Sequence, residues 1–275
     1  MNTPKISIVT ASFNSIDYIE NAIQSVLGQD YPYIEYIVRD GGSTDGTLEI
    51  LKKYEGKLRW VSEPDKGIYD ALNKGFAQAS GDVFTWLDSD NCYETHEVIS
   101  RVADAFRGGK KADIVLTNGM LHYPDHGESV LVDSPVLSFN ELLVHGNAFM
   151  PESVFYTREL FQRAGALNLS YRLIADYELW LKMWKLNPTI VKLPFVSAVY
   201  TVRNEALLRK NPFLAWQETF RIGAYYRRPL TARMRIRAQY VWERVKFPFY
   251  KFLMSQPVLY AFYKNSVRRF LKNIY

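Results

Sequence analysis

A chain of 275 residues, 48% hydrophobic and 23% charged, is long and apolar enough for one large core or a core with an appendage. Its one cysteine, Cys92, excludes an internal disulfide and fits a reducing compartment. The longest uncharged run, Phe252–Tyr263, has 12 residues with Pro257 inside, which is short of a membrane-spanning helix. The net charge of +5 is uneven: residues 205–275 hold 15 Lys and Arg against 3 Asp and Glu, whereas residues 1–204 hold 19 against 26. That change in kind predicts a domain over 1–204 and a separate basic region over 205–275.

Met1–Lys5 shows no charged segment followed by an apolar one, so no secretory signal is expected. Lys5–Thr10 alternates β-branched residues and predicts a strand. A helix follows, with Tyr18, Ile19, Ala22, Ile23, Val26 and Leu27 on one stripe. Ile34–Val38 is the second strand, stopped by the Asp40–Thr47 turn residues, where Ser43 or Thr44 is placed to cap a helix over Leu48–Tyr54. Leu58–Ser62 is a third strand, Ile68–Ala79 a helix, Val83–Leu87 a fourth strand, Glu94–Phe106 a helix and Asp113–Thr117 a fifth strand. Gly119–Pro135 predicts a hairpin or loop, Glu152–Thr157 an edge strand, Arg158–Ala164 a helix ended by Gly165, and Ala175–Trp184 a helix.

Strands alternating with helices through short connections predict an α/β fold, a mostly parallel sheet with helices on both faces. Ligands of such sheets sit outside the C-terminal ends of the strands. Here those ends carry Ala11–Asn14, Asp40–Thr44, Glu63–Gly67 and Asp88–Asn91, which is a nucleotide-site pattern. The pair Asp88 and Asp90 ends a buried strand in carboxylates suited to a divalent ion, although Asp, Ser and Asn also make ordinary turns. His122 and His126 have helical spacing, but Pro124 between them argues against a metal pair.

The words Ser7–Asn14, Asp40–Thr47, Asp65–Gly75, Gly81-Asp82 with Asp88-Ser89-Asp90, and Ala175–Leu181 fall in one order along the chain. In that order the sequence resembles glycosyltransferase family 2, the inverting sugar-nucleotide transferases with the Rossmann-like GT-A fold. The resemblance implies a nucleoside-diphosphate-sugar donor, with UDP or dTDP favoured, and Mg2+ or Mn2+ as the ion. It implies that Asp40 meets the nucleotide base and that Ala11 and Phe13 wall it. Asp65 and Lys66 would line the nucleotide, Asp88 would touch ribose and metal-bound diphosphate, and Asp90, with Asp88, would hold the metal. Asp176 matches the catalytic base, with Glu178 its local competitor. Relatives often carry Glu-Asp at that place where this chain has Ala175-Asp176.

Residues 205–275 read as amphipathic helices broken at Pro229, Pro248 and Pro257, with stripes such as Met234, Ala238, Val241, Trp242 and Val245 among arginines. Such helices suit an anionic membrane surface, packing on the catalytic domain, or nucleic acid. A lipid-linked glycan acceptor of bacterial surface polysaccharide assembly, which the resemblance implies, favours the membrane, on its cytoplasmic face. No nucleic-acid partner is expected. Three other readings stand beside this one: a nucleotidyltransferase on sugar phosphates, for which Ala11–Ser15 lacks any Lys or Arg, a non-catalytic membrane- or nucleic-acid-binding protein led by its basic tail, and a polymerising synthase of the same family, for which no spanning helix is expected.

Overall fold

The computed structural model describes residues 3–108, 112–124, 127–203, 211–238 and 240–241. The chain divides into two compact units, Met1–Ile222 and Gly223–Tyr275. His126 and the stripe members from Trp242 onward lie outside the described residues.

The first unit is built on one sheet. Its strands are β1 Ile6–Ser12, β2 Ile34–Asp40, β3 Arg59–Ser62, β4 Val83–Trp86, β5 Asn91–Tyr93, β6 Ile114–Tyr123, β7 Glu128–Val132, β8 Val154–Thr157 and β9 Ile190–Thr201. Their order is β3-β2-β1-β4-β8-β6-β9-β5, with β7 paired to β6. The β3-β2-β1-β4 half is parallel. Beyond β4 the sheet is mixed, because β8 runs antiparallel to both β4 and β6 while β9 runs parallel to β6. β1 is buried along its whole length, as a central parallel strand covered on both faces must be.

The helices are α1 Ile19–Leu27, α2 Thr47–Lys53, α3 Ile68–Gln78, α4 Val98–Arg107, α5 Phe139–His145, α6 Arg158–Ala164, α7 Ala175–Trp184 and α8 Pro212–Tyr225. One sheet face turns Ile6, Ile8, Val38 and Val83 against the aliphatic stripes of α1, α2 and α4. The other face is aromatic. Phe84 and Trp86 of β4 and Tyr156 of β8 meet Phe76 of α3, Phe161 of α6 and Trp180 of α7. Trp86 and Trp180 stack at 5.4 Å between ring centroids and 8° between planes. A Cβ on Gly75 of α3 would stand 2.3 Å from Val9 Cγ1, so that helix lies directly on β1.

Several elements differ from expectation. The N-cap of α2 is Gly46, with φ of 102° and no side-chain bond. Ser43 does not cap it because its oxygen accepts the Asn14 N–H at 2.7 Å while its hydroxyl donates to Asp40, and the Thr47 N–H at the helix start is taken by Asp45 Oδ1 at 3.0 Å. α4 starts at Val98, four residues later than expected from Glu94. In the second unit residues 230–238 are helical, and Ala232 and Ile236 are buried there while Met234, Ala238 and Val241 are exposed. The apolar stripe foreseen for that segment thus faces away from the buried side. Among the described residues no helix is long and apolar enough to cross a membrane.

The aromatic face sets the first expectation. Trp180→Ala should lower stability by about 3–5 kcal/mol, the cost of emptying a large buried aromatic position. Urea unfolding monitored by far-UV circular dichroism measures it, and a loss below about 1 kcal/mol would show that the stack is dispensable.

Candidate active site

Past β4 the Leu87 N–H still donates to the Val9 carbonyl of β1 at 3.0 Å, but its carbonyl accepts the Thr10 hydroxyl at 2.7 Å. The chain then turns through Asp88, Ser89 and Asp90, closed by the Asn91 N–H on the Asp88 carbonyl at 3.1 Å. The Ser89 and Ser15 hydroxyls lie 3.0 Å apart, tying the turn to the loop after β1. Asp90 forms an ion pair with Arg203, whose guanidinium lies 3.5 Å from the centroid of the Tyr18 ring. Asp88 Oδ1 is buried without a hydrogen-bond partner.

Glu152, fully buried in the short 3-10 turn Pro151–Ser153, joins this cluster. Its Oε1 accepts from the Asn91 side-chain amide, and its Oε2 has no partner. Burial raises the Glu152 carboxyl from its ordinary 4.5 to about 7. Burial, then the charges of Glu152, Asp90 and Asp176, push Asp88 well above the usual carboxylate range. Burial also raises Asp90, against the pull of Arg203. Tyr200 of β9 is pushed up to about 12 by its own burial and by Asp90, Asp88 and Glu152. Crowded carboxylates with an orphaned buried oxygen are the hard oxygen donors that Mg2+ or Mn2+ prefers. Among the described residues no three His, Cys, Asp or Glu side chains close a cage by themselves. Water and phosphate oxygens would complete such a shell, as is usual for Mg2+.

Asp176 stands at the start of α7 and is 7% exposed. Asn147 donates its side-chain amide to Oδ2 at 2.6 Å, and the Tyr69 hydroxyl lies 3.5 Å from Oδ1. Burial raises the Asp176 carboxyl to about 6, and the bonds from the Tyr177 N–H, Asn147 and Tyr69 oppose it. Tyr69 itself is driven well above its ordinary value by burial and then by Asp176 and Asp88, so one tyrosine feels both carboxylates. The turn leading into α7 is locked from α8: Glu218, 1% exposed, accepts the N–H groups of Arg172, Leu173 and Ile174 at 2.7, 3.0 and 3.2 Å. Glu178 is instead paired with Lys182 at 3.2 Å along the helix. A cavity of about 200 Å3 opens beside the start of α3, lined by Lys66, Tyr69, Asp70, Tyr171, Leu173 and Leu214 among others.

The other strand ends converge as well. Asp40 is 2% exposed and accepts four bonds, from the Gly42 and Ser43 N–H groups at 3.0 and 2.9 Å and the Ser43 and Ser62 hydroxyls at 2.5 and 2.6 Å. A Cβ on Gly41 would meet Asp65 Oδ2 at 2.6 Å and Phe13 Cδ2 at 3.3 Å, so the loops after β1, β2 and β3 touch at that glycine. Ala11 is buried within β1, while the Phe13 ring is 64% exposed at the rim. Asp65 accepts the Gly67 N–H at 2.7 Å, and Lys66 is exposed.

Sequence reasoning did not single out Glu152, Arg203, Tyr69, Asn147 or Glu218. Glu152 carried a usable signal, an acid inside the apolar run Phe149–Phe155. Arg203 and Glu218 carried none, since their partners lie far away in sequence.

A sheet of this order, with acidic loops gathered at the C-terminal ends of its parallel strands and a buried carboxylate at the facing helix, is the architecture of a GT-A sugar transferase. Residues 7–158 match the family model described as "Glycosyl transferase family 2". An uncharacterised glycosyltransferase of Mycobacterium tuberculosis is 32% identical over 184 residues, covering 66% of this chain and 69% of that one. A PGL/p-HBAD biosynthesis glycosyltransferase of Mycobacterium bovis is 28% identical over 195 residues, covering 70% and 73%. Among solved structures, S. aureus TarS in complex with UDP-GlcNAc aligns with a TM-score of 0.64 at 22% identity, over 79% of this chain and 64% of that chain. The mannosyltransferase PcManGT from Pyrobaculum calidifontis, in complex with GDP-Man and Mn2+, aligns with a TM-score of 0.60 at 20% identity, over 80% and 65%. This chain thus spans less than two thirds of those two solved chains, and their likeness concerns the fold. The chain belongs to glycosyltransferase family 2.

The raised Glu152 carboxyl yields a pH-dependent expectation. The folded chain keeps a proton there that the unfolded chain releases between pH 4.5 and about 7, so stability falls as pH climbs through that window. Glu152→Gln should therefore raise Tm at pH 8 by about 2–4 °C and leave it nearly unchanged at about pH 4. Thermal unfolding at the two pH values measures this, and an equal shift at both would mean that ionisation plays no part.

Proposed function

We propose that the chain is a metal-dependent, inverting glycosyltransferase that moves a sugar from a nucleoside-diphosphate donor to an acceptor hydroxyl. The observation that carries this reading is the convergence of Asp176 on the Asp-x-Asp turn: the charges of Asp90 and Asp176 both bear on Asp88, and Tyr69, whose hydroxyl lies 3.5 Å from Asp176, is raised by Asp176 and Asp88. Asp90 and Asp88 would hold Mg2+ or Mn2+, which supplies charge neutralisation for the departing nucleoside diphosphate. The complex of PcManGT with Mn2+ supports a metal, and that of TarS with UDP-GlcNAc supports a nucleotide-sugar donor.

Asp176 takes the proton of the acceptor hydroxyl as that oxygen attacks the anomeric carbon. A carboxyl held at about 6 is ionised at neutral pH yet basic enough to accept the proton. Asn147 fixes one of its oxygens, and Glu218 fixes the backbone turn that delivers it. The acceptor approaches through the cavity walled by Tyr69 and Tyr171. On the donor side, Ala11, Phe13, Asp65 and Lys66 frame the nucleotide. Asp40 already accepts four bonds, so the imide N–H of a uracil or thymine reaches it by replacing a hydroxyl of Ser43 or Ser62. UDP or dTDP sugars are accordingly the favoured donors.

The acceptor is a glycan or lipid-linked glycan, a reading supported by the relative named for PGL/p-HBAD biosynthesis. The catalytic domain, assigned to 1–204 on composition, needs α8 as well, because Glu218 lies there. We assign residues beyond α8 to an anionic membrane surface on the cytoplasmic side, supported by exposed Met234 and Val241 among Arg233, Arg235 and Arg237.

Three measurements test these assignments. With the donor chosen by a thermal-shift screen, Asp176→Asn should keep donor affinity while transfer falls by about 10²–10⁴-fold. In the wild type, kcat/KM should rise with pH through about 6, since the base must be ionised. Equal loss of donor binding and transfer in Asp176→Asn, or a rate flat from pH 5 to pH 7, would refute the base. For the tail, the full chain should sediment with vesicles of phosphatidylglycerol and phosphatidylethanolamine and release as salt rises. A chain that stays in the supernatant at low salt would refute the membrane role.

A further inference from the structure

We propose that Arg203 is an internal counter-cation of Asp90, so that a divalent ion enters this site by exchange with a guanidinium. The proposal rests on the reading of Asp90 as a metal ligand given above.

Arg203 is not a stray surface side chain. β9 pairs with β5, placing Tyr200 opposite Asn91, and the Val202 N–H donates to the His122 carbonyl at 2.8 Å. The backbone on either side of the contact is therefore fixed, with Arg203 just past Tyr200 and Asp90 just before Asn91. The guanidinium bonds the Asp90 carboxylate and lies over the face of the Tyr18 ring, 3.5 Å from its centroid. The Arg203 side chain is only 16% exposed and that of Asp90 26%, so water screens the pair weakly. A cation held by both a carboxylate and a ring face is doubly stabilised.

The contact occupies one of the two carboxylates meant for the metal, while Asp88 Oδ1 beside it has no partner. A guanidinium is a permanent cation and has no lone pair to offer an ion. A divalent ion on Asp90 would thus face a second positive charge at contact distance in a half-buried site, and the two exclude each other. The ion alone must displace Arg203 with nothing to receive it. When a diphosphate accompanies the ion, the freed guanidinium finds phosphate oxygens, which its planar fork matches. Arg203 in this way links metal binding to donor binding, and keeps Asp90 paired when neither is present.

The test is binding of Mn2+ alone to the full chain, followed by the electron paramagnetic resonance signal of free Mn2+. Arg203→Ala should bind Mn2+ with a dissociation constant about fivefold or more below that of the wild type, the reverse of what losing a binding residue does. Tyr18→Leu removes the ring that backs the guanidinium and should shift the constant in the same direction. Unchanged or weaker Mn2+ binding by a folded Arg203→Ala overturns the proposal, and if that variant does not fold, Tyr18→Leu decides it by the same criterion. Asp90→Asn separates the two levels. Mn2+ binding that survives this change refutes the metal assignment itself, whereas its loss there with no gain in Arg203→Ala refutes only the exchange.

Discussion

Two indole rings, Trp86 on β4 and Trp180 on α7, lie 5.4 Å apart and nearly parallel, and the site depends on that contact. Trp86 stands two residues before Asp88, and Trp180 one helical turn after Asp176. Fixing one ring on the other therefore fixes the strand that ends in the Asp-x-Asp pair against the helix that begins with the candidate base. Phe76 packs edge-on against Trp86, so α3 is held by the same wall, and Tyr69 two turns earlier on α3 reaches Asp176. Three elements from distant parts of the chain are thus registered by aromatic packing, whose preferred offsets and angles are more directional than those of aliphatic contacts.

That wall offsets a cost. Asp88, Asp90, Glu152 and Asp176 are all raised, with burial the first cause in each case. Such groups oppose folding when ionised, and they gather where a cation and a transferable proton are wanted. Arg203 relieves Asp90, Asn147 satisfies Asp176, and Asn91 satisfies one oxygen of Glu152. Glu218 accepts three backbone N–H groups and stiffens the turn ahead of α7. Glu218 stands on α8, which reads by composition as part of a basic appendage, yet it lies within the first compact unit.

The parallel half of the fold was legible because its strands are short apolar runs cut off by Gly and Asp, and because buried central strands leave that plain signature. Asp88, Asp90 and Asp176 were legible only with the order of motifs around them, since each is an ordinary turn or helix-start residue alone. The mixed half was not. β9 contains Pro194 and the half-buried Lys192, whose ammonium is held by Asp133 at 3.0 Å and the Ser134 carbonyl at 2.9 Å, so its sequence lacks a strand's alternation. β5 has three residues and exists through its pairing with β9. Ser43 does not cap α2 because the Asn14 N–H, from the loop after β1, takes its oxygen. In each of these cases the deciding partner is brought by tertiary structure, which local pattern does not encode.

The central claim is that Asp176 acts on the acceptor hydroxyl and leaves the donor sugar to a single displacement. The most direct measurement is the anomeric configuration of the glycoside formed, read by proton NMR from the coupling constant of its anomeric proton. A single attack by a base-activated hydroxyl inverts that centre. A product with the donor's configuration retained would require a double displacement or a front-face route, and would contradict the role given to Asp176.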